Sequence, residues 1–171
     1  MGIVIGIDVG ISTTKIVGII EGSKVLSPIR IKATDPVTSL YGAFGKFLYV
    51  NKIQLQDIEK VMLTGVGSAY INEPIYNLPT EKADEFLADG LGARYETGLS
   101  RMIVVSMGTG TSIVKCDGND INHIGGIGIG GGTLQGLSRL LLNTDDIKQV
   151  AKLAETGDVS HINVLIKDIS A

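Results

Sequence analysis

The chain has 171 residues, of which 44% are hydrophobic and 19% charged, so it is long enough for a sizeable core and is neither disordered nor fibrous. Its net charge of -3 gives no basic surface for nucleic acid or for an anionic membrane. The single cysteine excludes an internal disulfide and predicts a reducing, cytoplasmic location. The apolar runs of the sequence have neither the pattern of a signal peptide nor the length of a membrane span.

The N-terminal part of the chain alternates apolar runs with turn signals. The runs predict strands over residues 3–8, 14–20 and 24–31, with a tight turn at 21–23 and a further strand over 61–64. Asp35 and Pro36 predict the N-cap and first residue of a helix. Its apolar side chains recur at helical spacing, at Val37, Leu40, Phe44, Phe47 and Leu48. Hairpin-linked strands followed by a helix and another strand predict a mixed α/β sheet.

The remainder of the chain predicts further helices and strands. The predicted elements are a loop over 72–80, a helix over 81–95 interrupted by Gly90 and Gly92, strands over 102–106 and 112–116, a hairpin turn over 117–120, and helices over 134–142 and 145–155. Cys116 ends a strand and is expected to be a small buried side chain.

Two glycine-rich turns follow predicted strands, and they are the most informative feature of the sequence. The first spans residues 6–15; the second spans 107–112 and is followed by a glycine cluster at 125–133. Glycine turns that carry hydroxyl groups let backbone N–H groups approach an anion closely. The chain lacks the P-loop string G-x-x-x-x-G-K-[ST], and its first turn leads into a strand, which excludes a Rossmann fingerprint. The two turns therefore predict a different kind of nucleotide-phosphate site.

The first turn contains both signs of charge. Asp8 suits Mg²⁺ bound through water, because that ion keeps several waters and takes few protein ligands. Lys15 supplies a positive charge for phosphate. The other predicted cofactor-binding residues of this turn are Gly10, Ser12, Thr13 and Thr14. A plain β-hairpin whose turn merely needs glycine is the alternative interpretation.

These motifs carry a resemblance to known proteins. The strand–turn–strand segment with Asp8 resembles the actin, hexokinase and heat-shock-protein ATPase superfamily. The strings G-T-G-T-S at 108–112 and G-G-x-G-x-G-G-G-T-x-x-G-L at 125–137 resemble the type II, eukaryotic-like, pantothenate kinases, and the similarity runs from Ile3 to about Lys167. The resemblance implies an actin-like ATPase (ribonuclease H-like) domain and an ATP- and Mg²⁺-dependent phosphorylation of pantothenate, the first step of coenzyme A biosynthesis, by a homodimer.

The resemblance also implies roles for individual residues. Nucleotide phosphate contacts fall on Gly108, Gly110, Gly130, Gly131, Gly132, Thr133 and Gln135. The catalytic residues are Lys15 and Glu85, the latter as the base that accepts the proton of the substrate hydroxyl. Substrate contacts fall on Glu85, Thr109, Ser112 and His123. From composition alone, the acidic residues near Glu85 are typical of a solvated helix face, and Glu81 is the alternative base.

Two departures from the family bear on function. His123 stands where most family members have an arginine for the pantothenate carboxylate, and an imidazole cannot make the bidentate contact of a guanidinium. The family is also longer, so residues 1–171 are expected to form the N-terminal domain of a two-domain fold.

Two other functions and one interface remain open from the sequence. The first turn is also close to that of ATPase activators of 2-hydroxyacyl-CoA dehydratases, which need two cysteine ligands per subunit where this chain has one. A non-catalytic nucleotide-binding or assembly module is the other alternative. The leucines of the helix predicted over 134–142 exceed one amphipathic face and predict self-association.

Overall fold

The computed structural model describes residues 2–20, 24–33 and 35–169. The turn predicted at 21–23 lies outside the described residues. The chain divides into two compact units, one comprising Met1–Ser106 with Ser112–Gly126 and the other comprising Met107–Thr111 with Ile127–Ala171.

A six-stranded sheet forms the centre of the first unit. Its strands are β1 (Ile3–Val9), β2 (Thr13–Ile20), β3 (Lys24–Val25), β4 (Ile29–Lys32), β5 (Ile58–Thr64) and β6 (Thr80–Lys82). The order is β3-β2-β1-β5-β6, and β4 also pairs with β2. Because β1 runs antiparallel to β2 and parallel to β5, the sheet is mixed, which confirms the predicted fold class.

The single strand predicted over residues 24–31 was wrong, because the structure divides it into β3 and β4. Pro28 lies in the break and has no N–H to donate to a neighbouring strand. The side chain of Asn51 supplies bonds in place of a strand partner: Ser27 N–H donates to its Oδ1 at 2.9 Å, and its Nδ2 donates to Ser27 O at 3.1 Å.

Helix α1 (Pro36–Asn51) covers one face of this sheet and forms the core with it. Asp35 is its N-cap as predicted, and its Oδ2 accepts the Thr38 N–H at 2.7 Å, which lowers the pKa of that carboxyl. The apolar face of the helix is fully buried, at Leu40, Ala43, Phe44 and Phe47. It packs with the alternate residues of β1 that point the same way, Ile3, Ile5, Ile7 and Val9.

The next helix differs from the prediction in both its start and its continuity. Residues 80–82 form β6, and α2 (Glu85–Thr97) begins only after Asp84, whose Oδ1 accepts the Leu87 N–H at 2.9 Å. Gly90 does not interrupt the helix, because its missing side chain allows close packing: a Cβ there would lie 3.1 Å from Cys116 Sγ. The loop predicted over 72–80 is largely present, with a short 3₁₀ turn at Ile75–Asn77.

The last three strands form a separate sheet in the order β7 (Arg101–Met107), β8 (Thr111–Asp117) and β9 (Asp120–Ile127). The predicted hairpin turn is confirmed, with Gly118 at φ +63°. The helices that follow are α3 (Gly131–Leu142), α4 (Ile147–Glu155) and α5 (Ile166–Ile169). Within the described ranges, no helix combines the length and apolar character needed to cross a bilayer.

Candidate active site

Asp8 lies near the carboxyl end of β1, between two neighbouring strands. Its register partners are Lys15 on β2 and Thr64 on β5. Lys15 Nζ donates to Asp8 Oδ2 at 2.6 Å, and both side chains are partly exposed, at 53% and 27%. The Thr64 hydroxyl is buried and has no hydrogen-bond partner in the described structure. This end of the sheet therefore holds an accessible ion pair beside an unused hydroxyl.

The hairpin turn between β1 and β2 is closed by its own backbone. Gly10 N–H donates to Thr13 O at 3.0 Å, and Ser12 O accepts the Ala33 N–H at 2.9 Å. Thr13 and Lys15 point to one face of β2, whereas Thr14 points to the other face, where it is fully buried. The Thr14 hydroxyl also lacks a partner among the described residues.

Glu85 is the first residue of α2, and the fold brings it close to the Asp8 ion pair. Its pKa is raised, mainly because the carboxyl loses hydration and also because the carboxylates of Asp8, Asp89 and Asp84 repel its charge. Lys15 opposes this shift. A carboxylate whose pKa moves toward neutral pH is a stronger general base. The predicted catalytic residues and the predicted metal-binding residue therefore share one site.

The second glycine-rich loop lies in the second unit and is built from backbone contacts. Gly108 N–H donates to Gly110 O at 2.8 Å, and Gly131 N–H donates to Gly108 O at 2.8 Å. The Thr111 hydroxyl donates to Ile129 O at 2.7 Å, which ties the turn to the segment before α3. The N–H of Gly132 and the hydroxyl of Thr133 are likewise bonded within the loop, to Thr109 O and Gly128 O.

Gly130 shows why this loop needs glycine. It precedes α3 as the N-cap residue and has no side-chain cap, and a Cβ built on it would lie 2.7 Å from the Gly110 carbonyl oxygen. Any larger residue would push the two segments apart. The loop is thus a compact, uncharged structure that ends in a helix N-terminus, where N–H groups favour anions.

The remaining predicted residues occupy different surroundings. His123 lies on β9 and stacks on Phe86, with ring centroids 4.0 Å apart and planes at 14°. Phe86 is the residue directly after Glu85 in α2. Ser112 lies on β8, and Gln135 is exposed on α3. In residues 2–20, 24–33 and 35–169, no three His, Cys, Asp or Glu side chains are grouped to hold a metal ion.

Three residues near the site were missed by the sequence analysis. Thr64 follows an apolar strand parallel to β1, and the carboxyl ends of adjacent parallel strands meet, so this pattern could have revealed it. Phe86 and Asp89 lie on α2 close to Glu85, but helical spacing alone does not show which side chains face a site. The buried, unpartnered Oδ2 of Asp89 becomes visible only in the tertiary structure.

Comparisons with known proteins agree with the motifs. The family model described as Fumble matches residues 91–171. The type II pantothenate kinase of Staphylococcus aureus strain USA300 is 35% identical over 170 residues, an alignment that covers 96% of this chain and 59% of that protein. The chain therefore spans 59% of the length of this relative.

Solved structures share the fold at low sequence identity. The activator of 2-hydroxyisocaproyl-CoA dehydratase from Clostridium difficile, with bound ADPNP, superimposes with a TM-score of 0.72 at 16% identity, over 91% of this chain and 57% of that one. A ROK family glucokinase from Streptomyces griseus, in complex with glucose and AMPPNP, gives 0.53 at 16% identity, over 75% and 48%. Identities this low show the fold alone. The chain is thus similar in sequence to a type II pantothenate kinase and has the actin-like ATPase fold.

Proposed function

We propose that this chain carries the nucleotide and acceptor sites of an ATP-dependent phosphotransferase of the type II pantothenate kinase kind, which phosphorylates the hydroxyl of pantothenate or a related alcohol. The observation that carries this proposal is the approach of Glu85 to the Asp8–Lys15 ion pair. Phosphoryl transfer needs positioning, charge neutralisation and a base for the attacking hydroxyl, and these three residues supply groups for each.

Asp8 and Lys15 have separate electrostatic roles in this proposal. Asp8 would hold Mg²⁺, since a single carboxylate fits an ion that keeps several waters. Bound Mg²⁺ would neutralise phosphate charge. Lys15 leaves Asp8 and pairs with a phosphate oxygen, since its ammonium is partly exposed on a flexible stem. Within the second unit, the N-terminus of α3 would favour an anion such as a phosphate.

Glu85 acts as the general base. Its pKa is raised, mainly by loss of hydration, and this strengthens its attraction for the hydroxyl proton. Glu81, the alternative base, lies on β6 and forms an ion pair with Lys60 at 2.7 Å. It is a matched acidic control.

Dehydratase activation is the less supported function. The activator shares the fold with this chain at 16% identity, whereas the kinase of S. aureus shares 35% identity. The chain contains one cysteine, and that residue is buried. A thiolate cluster shared by two subunits needs more ligands than this at its surface.

The test is ATP-dependent phosphorylation of pantothenate and of its N-propyl amide by protein made from the native reading frame. We expect Glu85→Gln to lower kcat by about a hundred- to ten-thousandfold, because glutamine keeps the shape but cannot accept the proton. Nucleotide affinity, measured by calorimetry, should change by less than about twofold. Glu81→Gln should behave like the wild type. Unchanged turnover in Glu85→Gln would exclude Glu85 as the base.

A cytoplasmic homodimer is part of this proposal, and the exposed leucines of α3 support the dimer. Leu140 and Leu141 are 79% and 73% exposed, and Leu134, Leu137 and Leu142 are about half exposed on the same helix. Sedimentation at micromolar concentration should give a dimer for the wild type and a monomer for the double variant Leu140→Glu/Leu141→Glu. A wild-type monomer at all concentrations would remove the proposed interface.

A further inference from the structure

A third glycine turn, over residues 64–67, follows β5 and packs against the end of β1 that carries Asp8. Gly65 and Gly67 lie in this turn, which leads into a 3₁₀ turn over Val66–Tyr70. The Ser68 N–H donates to Gly65 O at 3.0 Å and closes the turn. The 64–67 turn therefore belongs to the candidate site by position, although the proposed chemistry assigns it no part.

Gly65 lies directly against the Asp8 carboxylate. A Cβ built on Gly65 would overlap Asp8 Oδ1 and would lie 2.7 Å from the Val9 carbonyl oxygen. The φ of Gly65 is +85°, a conformation that residues with a side chain rarely adopt. Lys15 bonds the other carboxylate oxygen, Oδ2, so the carboxylate lies between an ammonium group and bare backbone. Both space and conformation therefore require glycine at this position.

Gly67 connects the 64–67 turn to the core. A Cβ built on Gly67 would lie 2.7 Å from Val9 Cγ1 and 3.3 Å from Pro36 Cβ. Val9 is fully buried at the end of β1, and Pro36 is the first residue of α1. The turn thus packs against two elements of the core at once. Close packing of this kind leaves the backbone beside Asp8 little freedom to move.

The Thr64 hydroxyl adds an unused hydrogen-bond donor to the turn. Thr64 and Asp8 are register partners on neighbouring parallel strands, so their side chains lie on the same face of the sheet. The hydroxyl is buried and has no partner in the described structure. A buried polar group without a partner is unfavourable, so a state of the site that supplies one is stabilised.

The proposed chemistry supplies such a state. Lys15 Nζ donates to Asp8 Oδ2 at 2.6 Å in this structure, and phosphate binding is proposed to draw Lys15 away. The carboxylate would then lose its ammonium partner while the charge of Glu85, which interacts with it, remains nearby. Carboxylates that bind metal ions are in turn held by hydrogen bonds from neighbouring groups. The Thr64 hydroxyl is a donor on the correct face to do this.

We propose that the 64–67 turn positions the Asp8 carboxylate, and that the Thr64 hydroxyl donates a hydrogen bond to this carboxylate when Lys15 turns to phosphate. This inference rests on the proposed phosphotransferase function and adds a positioning residue to its site. Gly65 determines where the carboxylate lies, and Thr64 replaces the donor that it loses. Thr64 acts through Asp8 and does not touch the substrate.

The test compares Thr64→Val, which keeps the shape of the side chain, with Thr64→Ser, which keeps the hydroxyl, in protein made from the native reading frame. In calorimetry with Mg·ADP, Thr64→Val should bind about tenfold more weakly than the wild type. Thr64→Ser should keep most of the affinity. When EDTA removes Mg²⁺, wild type and Thr64→Val should bind ADP equally. Wild-type affinity for Mg·ADP in Thr64→Val, or an equal loss in Thr64→Ser, would overturn the inference.

A double variant tests whether the hydroxyl acts through Asp8. Asp8→Ala/Thr64→Val should bind Mg·ADP as weakly as Asp8→Ala alone, because the hydroxyl has lost the carboxylate that it serves. Two losses that multiply would show that Thr64 acts on a different group, and this too would contradict the proposal.

Stability without nucleotide separates positioning from a structural role. The Tm of Thr64→Val should equal or exceed that of the wild type, because a buried hydroxyl without a partner does not stabilise the fold. A Tm lower by more than about 2 °C would mean that the hydroxyl is already bonded, and would overturn the inference. A wild type that does not bind Mg·ADP would reject the proposed function and this inference together. The expected binding pattern without phosphorylation of pantothenate would reject the kinase function alone.

Discussion

Two segments of this chain repeat one succession of elements and differ in burial. In the first, β1, β2 and β4 precede α1, and Ile5, Ile7 and Phe44 are at most 1% exposed. In the second, β7, β8 and β9 precede α3, yet Ile103 is 55% exposed and Leu140 is 79% exposed. Alternation along a strand selects a face, but only a packed layer on that face buries it. The element order alone therefore does not identify a core.

The glycine turns of the two segments differ in chemistry as well. The first turn carries Asp8 and Lys15 and lies near Glu85, so it is a site of charge. The second is closed by backbone and hydroxyl bonds and has glycine where Gly130 meets Gly110. We expect the first turn to lose ligand binding when a charged side chain is removed. We expect the second turn to lose stability when a larger side chain replaces glycine.

The largest expected effect concerns burial. Phe44→Ala in α1 should destabilise the fold by about 3–5 kcal/mol, because it empties a fully buried position. Leu140→Ala in α3 should change stability by less than about 0.5 kcal/mol, because that side chain is mostly exposed. Urea unfolding of both variants at a concentration that keeps the wild type monomeric measures the difference. Equal losses would mean that the α3 leucine is covered within one chain.

Removal of the first turn's carboxylate comes next. Asp8→Ala should weaken Mg·ADP binding by about ten- to a hundredfold, because the proposed Mg²⁺ site would lose its carboxylate. The difference in ADP affinity between Asp8→Ala and the wild type should shrink when EDTA removes Mg²⁺. Glu73→Ala, at an exposed loop carboxylate, is the matched control for calorimetry. If both variants bind Mg·ADP equally well, the first turn is not the metal site.

Added volume in the second loop should have a smaller effect. Gly130→Ala should destabilise the protein by about 1–3 kcal/mol, because its Cβ meets the Gly110 carbonyl. Gly136→Ala, in the α3 interior with nothing within 4 Å of the added atom, should stabilise it by about 0.4–1 kcal/mol. Thermal unfolding measures both. A neutral Gly130→Ala would show that the two segments can separate freely.

The smallest effect is a pH dependence that belongs to the first segment. The folded state raises the pKa of Glu85 above its ordinary value of 4.5, so ionisation of this group favours unfolding. The stability from its protonated form is complete below pH 4.5 and is lost as pH rises through the folded-state value. Glu85→Gln should therefore raise the Tm at pH 7.5 and leave it unchanged at pH 4. A lower Tm at pH 7.5 would indicate that the ionised carboxylate makes a stabilising contact.

Local chemistry allowed several elements to be predicted from the sequence. Asp35 and Pro36 determine the start of α1 because the cap and the fixed φ act within one turn. The apolar alternation of β1 and the glycine turn after Asp8 likewise depend on neighbours in the chain. The sequence of the second turn indicated the similarity to type II pantothenate kinases that the comparisons show.

Tertiary structure decided what depends on distant residues. Pro28 lies where one predicted strand divides in two, and the distant side chain of Asn51 bonds Ser27 at that break. Gly90 is needed inside its helix because Ile121 and Cys116 occupy the space that a side chain would fill. The raised pKa of Glu85 and the stack of Phe86 on His123 arise from groups far apart in sequence. Local propensities act over a turn or a strand, whereas burial, charge repulsion and ring contacts exist only after the chain has folded.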